Sequence, residues 1–257
     1  RRPLAGRRLW RHQACRCWRQ ALILRLSQIL FTQGFGTRRL CAGLVQHGEV
    51  RIGGQVVDDP DADFEPEGLV FEVGGQSWPY AEKALILLHK PSGFECSQKP
   101  KHHPSVLSLL PAPLRERGVQ PIGRLDEDTT GLLLLTDDGS LIHKLTSPKH
   151  HVPKVYEARC KHPLTQAAVD QLRQGVDLHE PGGRSEHVVA EGAEMADEHL
   201  LRLTLIEGKY HQVKRMVAAI GNRVEALHRS RFGALVLPAD LTPGQWQWVA
   251  SPRAVWG

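Results

Sequence analysis

The sequence predicts an α+β fold in two parts: a small helix-hairpin module, then a larger domain on a mixed, mainly antiparallel sheet. Three observations carry that expectation. Helical and strand-like periods follow one another without the regular rhythm of a parallel βαβ sheet. Residues 25–57 hold two short helical patterns and a hairpin signal. A stretch rich in Asp, Glu, Gly and Pro over residues 58–80 separates them from a longer run of strands and helices. The 257 residues, 41% of them apolar, can fill a sizeable core.

The elements can be justified in order. Residues 1–22 hold seven arginines, no acid and no clear cap, and the chain opens with Arg rather than Met. They read as a disordered basic extension, either an arm that touches nucleic acid or sequence upstream of a natural start. The abrupt onset of pattern near Leu24 favours the second. Leu26, Ile29 and Leu30 then sit at helical spacing, and Gly34 and Gly36 close that helix. Thr37 is placed to cap a second helix with Leu40 and Leu44 one turn apart. Val50 and Ile52, the turn Gly53-Gly54, and Val56 and Val57 read as a hairpin. Leu69–Val73 reads as a short strand. The expected organisation is an extension over 1–22, a small module over 23–72, a linker over 73–82 and the large domain over 83–257. Within the last, strands are expected at 83–90, 132–135, 155–159 and 200–206, and helices at 139–145, 165–174 and 211–220.

Composition excludes some classes. No apolar run approaches the roughly 20 residues that cross a bilayer, and no secretory signal precedes a cleavage site. The cysteines Cys15, Cys17, Cys41, Cys96 and Cys160 are scattered, with no second pair to complete a zinc site beside Cys15 and Cys17. Reduced thiols in a cytoplasmic protein are expected. The net charge of +5 is uneven, because residues 1–57 carry eleven arginines against the single acid Glu49. Without residues 1–22 the chain is mildly acidic, so any nucleic-acid contact depends on where Arg and Lys are placed.

The segment from Gly123 to Gly131 is the densest polar run before a buried strand, with Arg124, Asp126, Glu127 and Asp128 between two glycines. Loops at the ends of buried strands often hold catalytic groups. An Asp-rich surface turn is the plain alternative, and a glycosidase-like carboxylate pair of Asp126 and Asp128 is another.

The run Gly-Arg-Leu-Asp from Gly123, continuing through Thr129 and Gly131 to Thr136, resembles the signature of the RsuA family of bacterial rRNA pseudouridine synthases. So do Lys90-Pro91-Ser92-Gly93, Lys154-Val155-Tyr156 after His150-His151, and Glu207-Gly208-Lys209-Tyr210-His211-Gln212-Val213-Lys214-Arg215. Residues 25–57 resemble the S4-like RNA-binding module of that family. The resemblance implies that Asp126 is the catalytic aspartate, that Tyr156 stacks on the flipped uracil, and that Lys214 is the cation beside the aspartate. In such a pocket an unpaired carboxylate tends to protonate, and a cation keeps it ionised. RNA contacts are expected from Arg124, Lys154, Arg215 and His211, and from Arg38 and Arg39 at the start of the second helix. Arg215 could instead meet a structural carboxylate. No organic cofactor and no metal is expected. The implied substrate is 16S rRNA in a partly assembled small ribosomal subunit, acted on by a cytoplasmic monomer. A large-subunit rRNA enzyme and a non-catalytic assembly factor are the rivals.

Overall fold

A computed structural model describes residues 22–179 and 185–257. The basic extension up to residue 21, with Cys15 and Cys17, lies outside the described residues.

The small module forms as the pattern predicts. Helices Leu26–Thr32 and Arg38–Gln46 pack together, with Leu26, Ile29 and Leu30 buried. The Thr37 hydroxyl accepts the Leu40 amide at 3.3 Å, which satisfies one orphan N–H of the second helix. That helix buries Cys41 and Val45, while Leu40 is exposed. Its inner face is thus one position beyond the leucine expected there, because a free cysteine packs as a small apolar residue. The hairpin closes through Gly53 and Gly54, both at positive φ, as a two-residue turn requires.

The span read as a linker, 73–82, is largely taken up by paired strand. Val70–Val73 and Gln76–Pro79 form a second hairpin through Gly74-Gly75, and it pairs with Val50–Ile52 to give a four-stranded sheet. Trp78 is buried there, with its ring 5.3 Å from Phe35. A core aromatic at alternate spacing after a Gly-Gly turn is the reason these residues pair.

The large domain is built on a nine-stranded sheet. Its main path runs Gly192–Asp197, Leu200–Leu205, Lys154–Cys160, Val224–Phe232, Thr130–Thr136, Leu85–Lys90, Trp246–Trp248. Neighbours are antiparallel except Val224–Phe232 and Thr130–Thr136, which are parallel. The fold is therefore α+β with a mainly antiparallel sheet. Strand Thr130–Thr136 is buried along nearly its whole length, its leucines dividing between two apolar clusters. Helices Gly139–Thr146 and Gln166–Gln174 start at Asp138 and Thr165, whose side chains accept backbone amides of the first turn.

One polar network joins the two parts. Gln33 is 5% exposed and exchanges two hydrogen bonds with the backbone of Ala81. Arg117 donates to Gln33 Oε1 at 2.6 Å and to Asp137 Oδ2 at 2.7 and 2.9 Å. Asp137 accepts the Ala84 amide at 2.7 Å through its other oxygen. Both charged side chains are largely buried, so removing one strands the other. Arg117→Met is expected to lower unfolding free energy by about 3–5 kcal/mol, read by urea denaturation; a loss under about 1 kcal/mol would show that the pair behaves as a surface bridge.

Candidate active site

The site begins with strand register. Where the two parallel strands meet, Arg229 lies opposite Gly131. The same rung continues to Tyr156 on one side and to Lys90 on the other. A Cβ on Gly131 would stand 2.3 Å from the Arg229 carbonyl oxygen, and its φ is +108. Only glycine fits both conditions, which explains why this loop ends on Gly131.

Lys90 fixes the loop that precedes that strand. Its ammonium is fully buried and donates to the carbonyls of Pro91, Glu127 and Thr129 at 3.1, 3.0 and 2.8 Å. The Gly93 amide also binds the Glu127 carbonyl, and the Leu125 amide meets the Cys96 sulfur. Burial pulls the Lys90 ammonium below its ordinary value, against the pull of Cys96 and the nearby carboxylates.

Asp126 projects from this loop into a cleft of about 360 Å³, within the ~300–1,000 Å³ of small-molecule sites. His211 Nε2 is 3.4 Å from one Asp126 oxygen and Lys214 Nζ is 3.5 Å from the other. Lys214 is held more closely by Asp128, at 2.8 Å from each oxygen. Burial opposes the Lys214 charge, but Asp128 and then Asp126 outweigh it and the net direction is up. Partial burial likewise opposes the Asp128 carboxylate, and Lys214 overrides it downward. Asp128 is thus an exposed but ion-paired side chain, not merely a solvated one. Lys214 sits on helix Gln212–Ala219, which buries Val213, Met216 and Val217. The turn before it is shaped by Gln212, which accepts the Lys209 amide and donates to Glu207. His211 there adopts a left-handed conformation, φ 48, and stacks on the exposed Tyr210 at 3.8 Å.

Tyr156, Arg124 and Lys154 also line the cleft, with Leu145, Arg229 and Phe232. Leu205 borders Asp126 and Lys214, whereas Leu203 is fully buried in the core. Lys154 Nζ donates to the Val152 carbonyl and lies 5.4 Å from the centre of the Phe232 ring. Among the described residues no cluster of His, Cys, Asp or Glu is grouped to hold a metal ion.

Residues 84–219 match the family profile described as RNA pseudouridylate synthase, and residues 24–67 match the S4 domain. The chain belongs to the RNA pseudouridylate synthase family. It is 38% identical to "Ribosomal small subunit pseudouridine synthase A" of Yersinia pestis over 226 residues, 87% of this chain and 94% of that relative. The protein of the same name from Escherichia coli K12 is 37% identical over 225 residues, 87% and 95% of the two chains. A crystal structure of a pseudouridylate synthase superposes with a TM-score of 0.62 at 32% identity, covering 90% of this chain and 98% of that one. The synthase therefore isomerises uridine in rRNA to pseudouridine.

Not every residue singled out in the sequence reaches the cleft. Arg215 borders a separate surface hollow with Gln171, Asp177 and Leu178. Arg38 and Arg39 are exposed on the small module, with the Arg38 guanidinium 4.9 Å from the Phe31 ring centre. His150 and His151 are exposed beyond the end of helix Gly139–Thr146 and do not line the cleft. Conversely, the sequence reading passed over Arg229, the stacked Tyr210 and the role of Lys90. It also passed over Glu95, which accepts the amides of Lys101, His102 and His103 and so folds an exposed basic loop. Those amides hold the Glu95 carboxyl down to about 2. The Lys-Pro-x-Gly motif was the one available signal for Lys90.

Burial, and after it the Arg229 charge, pull the Lys154 ammonium down to about 8 from an ordinary 10.5. A lowered lysine value means the folded chain carries the cost of a buried charge at every pH below about 8. That cost fades between about 8 and 10.5, where the unfolded chain binds the proton and the folded chain does not. Lys154→Met is therefore expected to melt higher than wild type at pH 7, with a margin that shrinks as pH rises through that window. A margin that stays constant across it, read by thermal melts, would show that Lys154 is not the group concerned.

Proposed function

We propose that this synthase converts one uridine of 16S rRNA, within a partly assembled small ribosomal subunit in the cytoplasm, with Asp126 acting at the sugar. The observation that carries the proposal is the position of Asp126: in a concave site, with a basic group at each oxygen and Tyr156 lining the same cleft. The small-subunit assignment rests on the names of relatives matched over nearly their whole length.

A uridine has to leave its stack before its glycosidic bond is accessible, and an enclosed pocket holds the flipped base. Asp126 then attacks C1′ or takes a proton from C2′; either uses its carboxylate as nucleophile or base, and Lys214 aims it. Lys214 is itself positioned by Asp128, so Asp126, Lys214 and Asp128 work as a triad of two carboxylates and one cation. Tyr156 supplies a ring to stack on uracil and a hydroxyl within reach of its edge. Arg124, Lys154 and His211 meet the nucleotide at the cleft. Arg38 and Arg39 capture flanking phosphate, and Arg215 serves RNA or Asp177 on its own side of the helix.

Mapping pseudouridines in rRNA from cells lacking the protein should show one site lost from 16S rRNA, and a loss in 23S rRNA alone would replace this assignment. Asp126→Asn should abolish tritium release from C5-labelled uridine while rRNA still binds. Lys214→Met should slow single turnover about 100-fold or more, with Lys214→Arg retaining more; turnover by Asp126→Asn near the wild-type rate would sink the catalytic role. Arg38→Ala with Arg39→Ala should instead weaken binding and reduce the log–log salt slope by roughly 1–2, with the saturated rate unchanged. An unaltered slope would confine the small module to a structural part.

A further inference from the structure

Arg229 is the most fully enclosed cation facing the cleft, at 2% exposure. Its Nε donates to the Leu132 carbonyl at 2.8 Å, and its Nη1 lies 3.5 Å from the Tyr156 hydroxyl oxygen. Its Nη2 is buried without a hydrogen-bond partner. Among the described residues no carboxylate stands within ion-pair distance of it. A buried charged donor left unpaired is costly and rare in native folds, and a catalytic role is one of the reasons a fold retains it. Its guanidinium lies 5.2 Å from the centre of the Phe232 ring and 5.9 Å from that of Tyr156, and all three side chains line the cleft.

We propose that Arg229 is a further catalytic residue, whose unpaired Nη2 N–H donates to a carbonyl oxygen of the flipped uracil and stabilises the negative charge gathered there when the glycosidic bond breaks. The proposal rests on the cleft being the uridine pocket. When C1′–N1 breaks, the bonding pair passes to uracil N1 and spreads to O2 and O4. At the sugar, either C1′ bonds to the Asp126 carboxylate, or the C2′ proton moves to Asp126 and a C1′–C2′ double bond forms. By both routes the detached base carries one negative charge. After it turns, a pair from C5 forms the new bond to C1′. The Asp126 carboxylate is regenerated by release of its ester, or by return of its proton to C2′, and the C5 proton then leaves. The charge on the base exists only between the two bond changes, so a fixed donor there favours the transition state over the bound substrate. The Nη1 arm meanwhile donates to the phenol oxygen, which turns the phenolic proton of Tyr156 away from Arg229.

The test compares uridine with 5-fluorouridine at the target position, because the fluorinated base is more acidic and detaches with less help. Arg229→Gln and Arg229→Lys, each checked for an intact melt, are measured in single turnover by chromatographic loss of the target nucleoside, since the C5 fluorine leaves no proton to release and that base gives no pseudouridine, alongside rRNA affinity. Arg229→Gln is expected to lose about 100-fold or more on uridine but about tenfold or less on 5-fluorouridine, with rRNA affinity unchanged. Arg229→Lys, which keeps the cation but lacks the second arm, should show the same contrast between bases and carries the test if the glutamine variant does not fold. Equal losses on the two bases, as a purely structural role would give, would overturn the proposal, as would a wild-type rate on uridine. Wild-type protein that leaves the rRNA unchanged would instead overturn the reading of the cleft as a uridine pocket.

Discussion

The site hangs on one rung of one sheet. Tyr156, Arg229, Gly131 and Lys90 are neighbours across four strands, and the contact that holds the rung together is the approach of the Arg229 backbone to a residue with no side chain. Shifting either parallel strand by one residue would bring a leucine or threonine to that contact and turn every side chain to the opposite face. The antiparallel neighbours then inherit their registers from this pair. Asp126, five residues before Gly131 in the chain, reaches the cleft because its loop is stitched to the far end of the rung by Lys90.

The charges around that rung are arranged by depth. Lys90 is deepest and is satisfied by three carbonyls rather than by a counter-ion; backbone dipoles offset the desolvation that an ammonium suffers there. Arg229 is nearly as deep and is only partly satisfied. Lys214 lies nearer the rim, shared between Asp128 outside and Asp126 inside. The three acids of one short loop thus take different environments: Asp126 half-buried in the cleft, Asp128 exposed but paired, and Glu127 exposed, with its backbone carbonyl tied inward.

Local pattern made most of the fold legible. The apolar spacing of the first helix, the cap at Thr37, the leucine run before Thr136 and the stripe of Val213, Met216 and Val217 all depend on neighbours in the chain, so they can be read from it. The failures have a common cause. Strand Val224–Phe232 reads as polar, because its His228 and Arg229 are accommodated by Thr130 and Leu132, brought from elsewhere in the chain. The second hairpin was hidden by Asp, Glu and Pro around it, although Gly74-Gly75 repeats the turn chemistry of Gly53-Gly54. At the site, Asp126, Tyr156 and Lys214 could be placed through the resemblance of their motifs, whereas Lys90 meets acceptors 37 and 39 residues away. No spacing rule describes such a contact. Arg215, next to Lys214 on the same helix, is turned from it by about 100° and borders a different hollow.

The network of Gln33, Arg117 and Asp137 bears on how such a chain can be recombined. Gln33 belongs to the small module, yet its amide oxygen accepts the guanidinium of Arg117, which belongs to the large one. A transplanted module bearing an apolar residue at this position would leave that N–H facing a dry joint. The two halves are therefore not interchangeable cassettes cut at residue 80: grafting a foreign RNA-binding head onto this synthase means carrying the glutamine across with it.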